Sequence, residues 1–149
     1  MTKIVILEYS LYGHITQLSR SIKKGIESVG VEVEHLRCAD TLPSEIREQM
    51  HAPPKPEGVR ELTPAEVNDL ECFDGIMFGV SARCRGVPAQ MKTIMDATEG
   101  LWQNGKLVGK TAGVSQSTGN MQGGQESVAM NCMSFFAYRG MVFIPPGIY

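Results

Sequence analysis

Ile4-Val5-Ile6-Leu7-Glu8-Tyr9-Ser10-Leu11-Tyr12-Gly13-His14-Ile15-Thr16 is the stretch on which the fold turns. An apolar strand enters a short polar loop, and the loop enters an amphipathic helix with Ile15, Leu18, Ile22, Ile26 and Val29 along one face. Such a join gathers unpaired backbone N–H groups, hydroxyls and the positive end of a helix at one point, which is a place to hold a phosphate. The loop has neither the Gly-x-Gly-x-x-Gly dinucleotide fingerprint nor the Gly-Lys-Ser/Thr ending of a nucleoside-triphosphate loop. Hydroxyls without a lysine suit a phosphate monoester. Taken alone, the stretch also reads as an ordinary strand–loop–helix connection.

Outward from it, strand and helix patterns alternate. The first strand covers residues 3–9 and its helix residues 15–29. A second strand, 31–37, alternates Val31, Val33 and His35 with Glu32 and Glu34, which suits a strand near a sheet edge. Residues 38–63 are the least regular. A short helix fits 44–50, and Pro53, Pro54 and Pro56 make 51–58 a stiff loop. Thr63-Pro64-Ala65-Glu66 opens another helix through a capping box with proline in the first turn. The third strand is 75–80. The next helix starts near Pro88 and buries Met91, Ile94 and Met95. The fourth strand is 107–115, and a Gly/Gln-rich loop follows at 116–125. The next helix turns Val128, Ala129, Cys132, Met133, Phe136 and Ala137 inward. The fifth strand, 141–144, is stopped by Pro145-Pro146-Gly147.

The 149 residues suit one domain, 1–149, and 42% apolar residues suffice for a core. A formal net charge of −2 argues against a broad nucleic-acid footprint. No apolar run reaches membrane-spanning length and the N-terminus lacks a signal-peptide pattern, so a cytoplasmic protein without membrane insertion is expected. Cys38, Cys72, Cys84 and Cys132 are scattered, as in a reduced protein, and His14, His35 and His51 show no ligand spacing, so no metal is expected.

Near-continuous apolar strands alternating with helices mean a parallel sheet covered on both faces. Ligands then sit beyond the C-terminal strand ends, where the strand order reverses. The Gly- and Ser-rich loops fall there: 10–15, 81–88 and 116–124. A phosphoacceptor receiver would place Asp at the end of the third strand. Gly79-Val80-Ser81 stands there instead.

At these loops the chain resembles the tryptophan-repressor-binding-protein-like flavoproteins, NAD(P)H:quinone oxidoreductases with a flavodoxin-like fold. The matching segments are Ser10-Leu11-Tyr12-Gly13-His14-Ile15, Phe78-Gly79, Gln90-Met91-Lys92-Thr93, Gly100-Leu101-Trp102, Ser117-Thr118-Gly119, Gly123-Gly124-Gln125-Glu126 and Gly140-Met141-Val142. They keep the family's order and similar spacing across nearly the whole chain. The resemblance implies an α/β, flavodoxin-like, doubly wound parallel sheet of five strands in the order 2-1-3-4-5. It also implies FMN-dependent two-electron transfer from NAD(P)H to a quinone. Ser10, Leu11, Tyr12, Gly13, His14 and Ile15 would hold the FMN phosphate. Ala82, Arg83 and Cys84 would line the isoalloxazine ring. Ser117, Thr118, Gly119, Asn120 and Gly123 would close over it. Tyr12 would border the nicotinamide, and Tyr138 and Arg83 would stabilise negative charge. Trp102 would lie near the quinone across a subunit contact, in a homo-oligomer, dimer or tetramer; a helix–strand anchor is its other reading.

The chain also departs from that pattern. Where the family reads Thr-Pro-Thr-Arg-Phe-Gly-Asn after the third strand, this chain reads Val80-Ser81-Ala82-Arg83-Cys84-Arg85-Gly86. The glycine has become Arg85, unless Gly86 takes its role by a one-residue shift. The fourth loop is one residue longer, with Met121 and Gln122 where small residues are expected, and Tyr138 replaces a histidine. The family's final helix is missing from the expected plan, which would leave apolar sheet for a subunit contact or a partner to cover; a shortened isoform or a fragment is the competing explanation. These departures carry an alternative: a non-catalytic flavodoxin-like interaction or regulatory protein with a degenerate flavin pocket. Cys84 between two arginines would favour thiolate, or be a harmless free cysteine.

Overall fold

The computed structural model describes residues 1–145. The elements are β1 (Lys3–Tyr9), α1 (His14–Glu27), β2 (Glu32–Cys38), α2 (Ser44–Gln49), β3 (Arg60–Leu62), a 3₁₀ helix (Pro64–Cys72), β4 (Gly75–Ser81), α3 (Ala89–Ala97), α4 (Glu99–Gln103), β5 (Thr111–Ser117), α5 (Gln125–Tyr138) and β6 (Val142–Phe143). All strand pairs are parallel, in the order β3-β2-β1-β4-β5-β6. The expected order 2-1-3-4-5 is the run β2-β1-β4-β5-β6.

The count of five strands is corrected to six. The added strand, β3, lies inside the segment read as irregular and pairs Leu36↔Arg60 through Cys38↔Leu62 at the sheet edge. Three residues are too few to show a period, so only the pairing reveals it. β5 begins at Thr111 rather than at residue 107; Leu107 is buried in the turn before it. The helix begun at Pro64 is a 3₁₀ helix. Its capping box forms as read, with the Thr63 N–H and hydroxyl both donating to the Glu66 carboxylate at 3.0 and 2.7 Å. Pro146 and Gly147, read as stopping the last strand, lie outside the described residues.

Strand alternation divides the side chains between two layers. Leu7 sits beside Leu36 and Phe78, and these face Leu70, Met91 and Phe136 in the main core. Phe78 anchors that core, with the Phe136 and Phe135 ring centroids 5.1 and 5.9 Å away. Met91, Ile94 and Met95 of α3 are buried there as expected, with Val128, Cys132 and Phe136 of α5; Ala137 is exposed. The opposite layer holds α1. Ile15 is buried, Ile22 and Ile26 are half-buried, and Leu18 and Val29 are exposed, so the stripe read from periodicity is covered only near its start. That start is the end that meets the loop after β1.

Candidate functional site

Three loops meet at the C-terminal edge of the sheet. In the first, Gly13 takes φ +86, a left-handed conformation that costs glycine little, and so turns the chain into α1. The helix is capped from further back: Ser10 Oγ accepts the Gly13 and Ile15 N–H groups at 3.0 and 3.2 Å. The donors that would greet an anion are thus already turned toward one small oxygen. Beneath them Glu8 is wholly buried and accepts from the Thr16 hydroxyl at 2.7 Å, with His35 Nε2 3.6 Å from the same carboxylate oxygen. This ties β1 to the first turn of α1 and holds the loop's two ends in register.

The second loop, after β4, is a tight hairpin. Arg83 and Gly86 exchange both backbone hydrogen bonds, at 3.0 and 2.8 Å, across Cys84 and Arg85. Both corner residues have positive φ, 50 and 62, the signature of a turn that normally selects Asn and Gly. Gly86, the other candidate for the glycine's role, is not among the positive-φ residues of this turn; Cys84 and Arg85 take the left-handed conformations. The third loop, after β5, meets the second here. A Cβ on Gly124, whose φ is +96, would lie 2.6 Å from Arg85 Cγ. The Arg85 guanidinium donates to the Gln122 carbonyl at 3.4 Å. The extra length of the third loop is not spent on the cavity wall: Met121 is 91% exposed and does not line the cavity.

Between the loops lies a cavity of about 500 Å³. Of the residues expected there, Ser10, Leu11, Tyr12, His14, Ala82, Arg83, Ser117, Thr118 and Gly119 line it. Ser81 lines it too and was not singled out; its hydroxyl is buried without a hydrogen-bond partner, a polar group that sequence pattern could not mark as vacant. Arg83 has no carboxylate partner among the described residues. Gly13 and Ile15 contribute backbone rather than wall. Cys84, Asn120 and Gly123 shape the loops without lining the cavity. Asn120 does so through its carbonyl, which accepts from the Thr118 hydroxyl at 2.8 Å. A hydroxyl-and-amide cradle at one end, a vacant hydroxyl and an unpaired guanidinium at the other fit an elongated ligand with a phosphate on one terminus, as FMN has.

Trp102 and Tyr138 are elsewhere. They stack on each other, 5.3 Å between centroids and 14° between planes, with the Arg139 guanidinium over both rings. They sit near the Gly109 N–H to Gly140 carbonyl bond, where β5 and β6 begin, at the end of the sheet opposite the cavity. Within one chain Tyr138 therefore does not line the flavin cavity: it ends α5, which runs from the loops to the far edge. Arg139 is buried and pairs with Glu99 at 3.2 Å, which makes Trp102 part of a helix-end anchor within its own chain.

A second cavity, about 590 Å³, adjoins the first across Ser10, Leu11 and Tyr12, which line both. Its far walls are α1, the end of β2 and the proline loop. Arg37, 1% exposed, donates to the Ser10 carbonyl at 3.3 Å and to Glu61 at 2.9 Å. Arg37 and Arg47 both pair with Asp40. Burial opposes ionisation of Asp40, but the Leu42 N–H and the two guanidiniums outweigh it and hold the carboxyl below its usual range. Burial and the Asp40 carboxylate push the Tyr9 hydroxyl up to about 12, so that ring stays neutral beside the loop.

A parallel doubly wound sheet with a hydroxyl-rich phosphate loop at its switch point defines a flavodoxin-like protein. Residues 2–149 match the family described as NADPH-dependent FMN reductase, and the chain belongs to that family. The chain is 44% identical over 146 residues to NAD(P)H quinone oxidoreductase YCP4 of Candida albicans, covering 97% of this chain and 49% of that protein. It is 43% identical to minor allergen Alt a 7 of Alternaria alternata, covering 97% and 70%. It thus spans from about half to seven tenths of the length of these relatives. The fold superposes with a TM-score of 0.71 on a flavodoxin, WrbA-like protein from Agrobacterium tumefaciens, at 19% identity, covering 97% of this chain and 77% of that one. No helix among the described residues is long and apolar enough to cross a membrane.

Proposed function

We propose that this chain serves FMN-dependent two-electron transfer from NAD(P)H to a quinone. The observation that carries the reading is the 500 Å³ cavity, with a capped amide loop at one end and, at the other, the buried Ser81 hydroxyl without a hydrogen-bond partner beside the exposed Arg83. Family membership and the oxidoreductase name of the Candida relative support it. The backbone N–H groups of Gly13 and Ile15 would pass from Ser10 Oγ to the FMN phosphate, with the hydroxyl joining them as a donor. Ala82 and Arg83 would border the ring system, where the guanidinium favours negative charge. Ser117, Thr118 and Gly119 would line the other wall, and the geometry of Cys84, Asn120 and Gly123 keeps that wall in place. Bound there, FMN supplies the hydride chemistry; the protein supplies position and field.

Tyr12, on the rim, would border the nicotinamide. Trp102 and Tyr138 would serve a neighbouring subunit's cavity rather than their own. They form an exposed aromatic patch, 37% and 65% accessible, as expected of a surface that meets another copy in a dimer or tetramer. Four free cysteines suit a reducing, cytoplasmic setting. A second reading, a non-catalytic interaction or regulatory module, draws on one observation: the residue after Cys84 is an arginine packed across Gly124 rather than a glycine. The two readings part on a simple experiment. Protein supplied with FMN should retain a visible flavin absorption band, lose it on addition of NAD(P)H and recover it on addition of a quinone. Colourless protein would remove the enzyme reading.

A further inference from the structure

Under the phosphate loop lies a group of buried polar side chains that the proposed reaction does not use. Glu8 and His35 come from the neighbouring strands β1 and β2, Thr16 and Ser19 from α1 above them, and all four are buried. Glu8 Oε1 takes one hydrogen bond, from the Thr16 hydroxyl, and His35 Nε2 stands 3.6 Å from that same oxygen, just too far to bond. Glu8 Oε2, His35 Nε2 and Ser19 Oγ are left without partners. A Cβ built on Gly79 would meet Glu8 Cβ at 2.9 Å and Ser19 Oγ at 3.0 Å, so both side chains crowd the same spot over β4. A carboxylate with so few donors is costly to bury, and His35 is placed to neutralise it. The other cations nearby are engaged or exposed. Arg37, the partner of Glu8 across the ladder, is held by Asp40 and Glu61, and Arg47 by Asp40. On α1, Lys23 pairs with Glu27 at 3.8 Å and Arg20 is exposed. β4 brings Gly79 and Ser81, which carry no charge. Cys38, buried on the main-core side, has its thiol pushed up by burial and by the Glu8 charge. Thr16 directly follows Ile15, whose N–H is one of the two donors held by Ser10 Oγ. The Glu8 carboxylate is thus one hydrogen bond and one residue from the amides that would meet a phosphate.

We propose that Glu8 and His35 are positioning residues that set the charge beneath the phosphate loop, so that the loop holds a phosphate monoester well while the pair shares a proton and poorly once that proton is lost. The proposal rests on the function proposed above, since it takes the loop as the FMN phosphate site. With the proton, carboxylate and imidazolium cancel, and the loop amides and the N-terminus of α1 act alone on the anion. Without it, a buried negative charge faces a phosphate dianion across a medium less polar than water, and repulsion weakens binding. The sign is opposite to that of the ligand's own titration. A phosphate monoester gains its second charge at about pH 6, which by itself strengthens its hold on N–H donors as pH rises.

Fluorescence titration of the full chain with FMN and with riboflavin, from about pH 5 to about pH 8 where histidine changes charge, tests this without turnover. Glu8→Gln keeps an acceptor for the Thr16 hydroxyl and removes the charge. Its FMN affinity should match that of the unsubstituted protein at the acid end and exceed it by about tenfold at the alkaline end. Riboflavin, which has no phosphate, should show no such divergence. His35→Gln should weaken FMN at the acid end, and Glu8→Gln added to it should restore the affinity, a rescue that damaged packing would not give. Parallel pH curves for the unsubstituted protein and Glu8→Gln, or the same divergence with riboflavin, overturn the proposal. Phenyl phosphate, titrated by calorimetry, separates it from the enzyme reading. Phenyl phosphate that binds with the expected pH dependence to protein that takes up no FMN leaves the pair's role standing and removes the reaction. FMN uptake that ignores both substitutions at every pH keeps the reaction and removes the pair's role. If neither ligand binds at any pH, both fall.

Discussion

The loop after β1 and the loop after β4 do the same job with opposite means. Both turn the chain sharply at the end of a buried strand and present backbone to one cavity. The first reaches its left-handed conformation with Gly13 and closes on itself through Ser10 Oγ. The second puts Cys84 and Arg85 into left-handed conformations that cost side-chain-bearing residues about 1–3 kcal/mol each. Only the surroundings hold them there: the Arg83–Gly86 bonds, and the packing of Arg85 over Gly124. One loop is built from residues that prefer its shape. The other is held in shape by its neighbours, and strain of that kind is found where function constrains the backbone.

The largest effect that would test this contrast is Gly13→Val. A Cβ at Gly13 meets nothing within 4 Å, so any damage must come from the backbone rather than from a clash. Holding a β-branched residue left-handed costs about 2–3 kcal/mol, which predicts FMN affinity roughly 30- to 150-fold weaker by fluorescence titration. Unchanged affinity would take the first loop out of the site.

Next in size is Gly124→Ala. Its Cβ would sit 2.6 Å from Arg85 Cγ and 2.8 Å from Arg85 Cβ, at φ +96. A stability loss of about 2 kcal/mol is expected in urea unfolding. Repeating the substitution in an Arg85→Gly background separates clash from strain. The loss should shrink by about half there, and a strictly additive result would mean that the two loops do not bear on each other.

Arg85→Gly alone should act in the other direction. Relief of the left-handed arginine, less the added freedom of glycine in the unfolded chain, is worth about 0.5–1 kcal/mol, a rise in Tm of roughly 2–4 °C. A fall in Tm would show that the arginine's contact with Gln122 and Gly124 outweighs its backbone cost.

The smallest effect concerns the back of the first loop. Asp40 is held below its ordinary pKa of 3.8 in the folded protein. Its contribution is therefore complete above that value and is lost as pH falls through the lower, folded one. Asp40→Asn should flatten stability against pH in that acid window. An identical acid limb in both proteins would mean that other carboxylates set it.

Much of this was readable before any coordinates. The apolar runs of β1 and β4 and the buried positions of α3 follow from hydrophobic periodicity alone. The hydroxyls of the Ser10-to-Ile15 loop and its place between strand and helix mark it as the candidate phosphate loop, and the structure puts it on the wall of the cavity. Nine of the residues expected around the flavin line one cavity, because loops at the C-terminal ends of adjacent parallel strands have to converge. Periodicity failed on β3, where three residues carry no period, and on α1, where a regular stripe is buried only at its first turn. Tyr138 lies beside Trp102 and outside the lining of its own chain's cavity, because a match in a motif carries residue order and not direction in space.

By itself, then, the sequence determined the alternation of strands and helices, the parallel sheet and the loop that lines the candidate site, since those depend on local pattern and chain topology. Only the tertiary structure decided three things. Arg85, and not Gly86, bears the left-handed turn, because the pairing of Arg83 with Gly86 leaves it no other place. The Ser81 hydroxyl is buried without a partner. Four cations, 17 to 35 positions apart from Arg20 onward, share one cavity wall, because the β2 and β3 pairing folds the proline loop back onto α1. The last rests on contacts between segments distant in the chain, which no window along the sequence contains; the first is a local pairing that residue type alone does not announce, since Cys and Arg are not the residues such a turn selects.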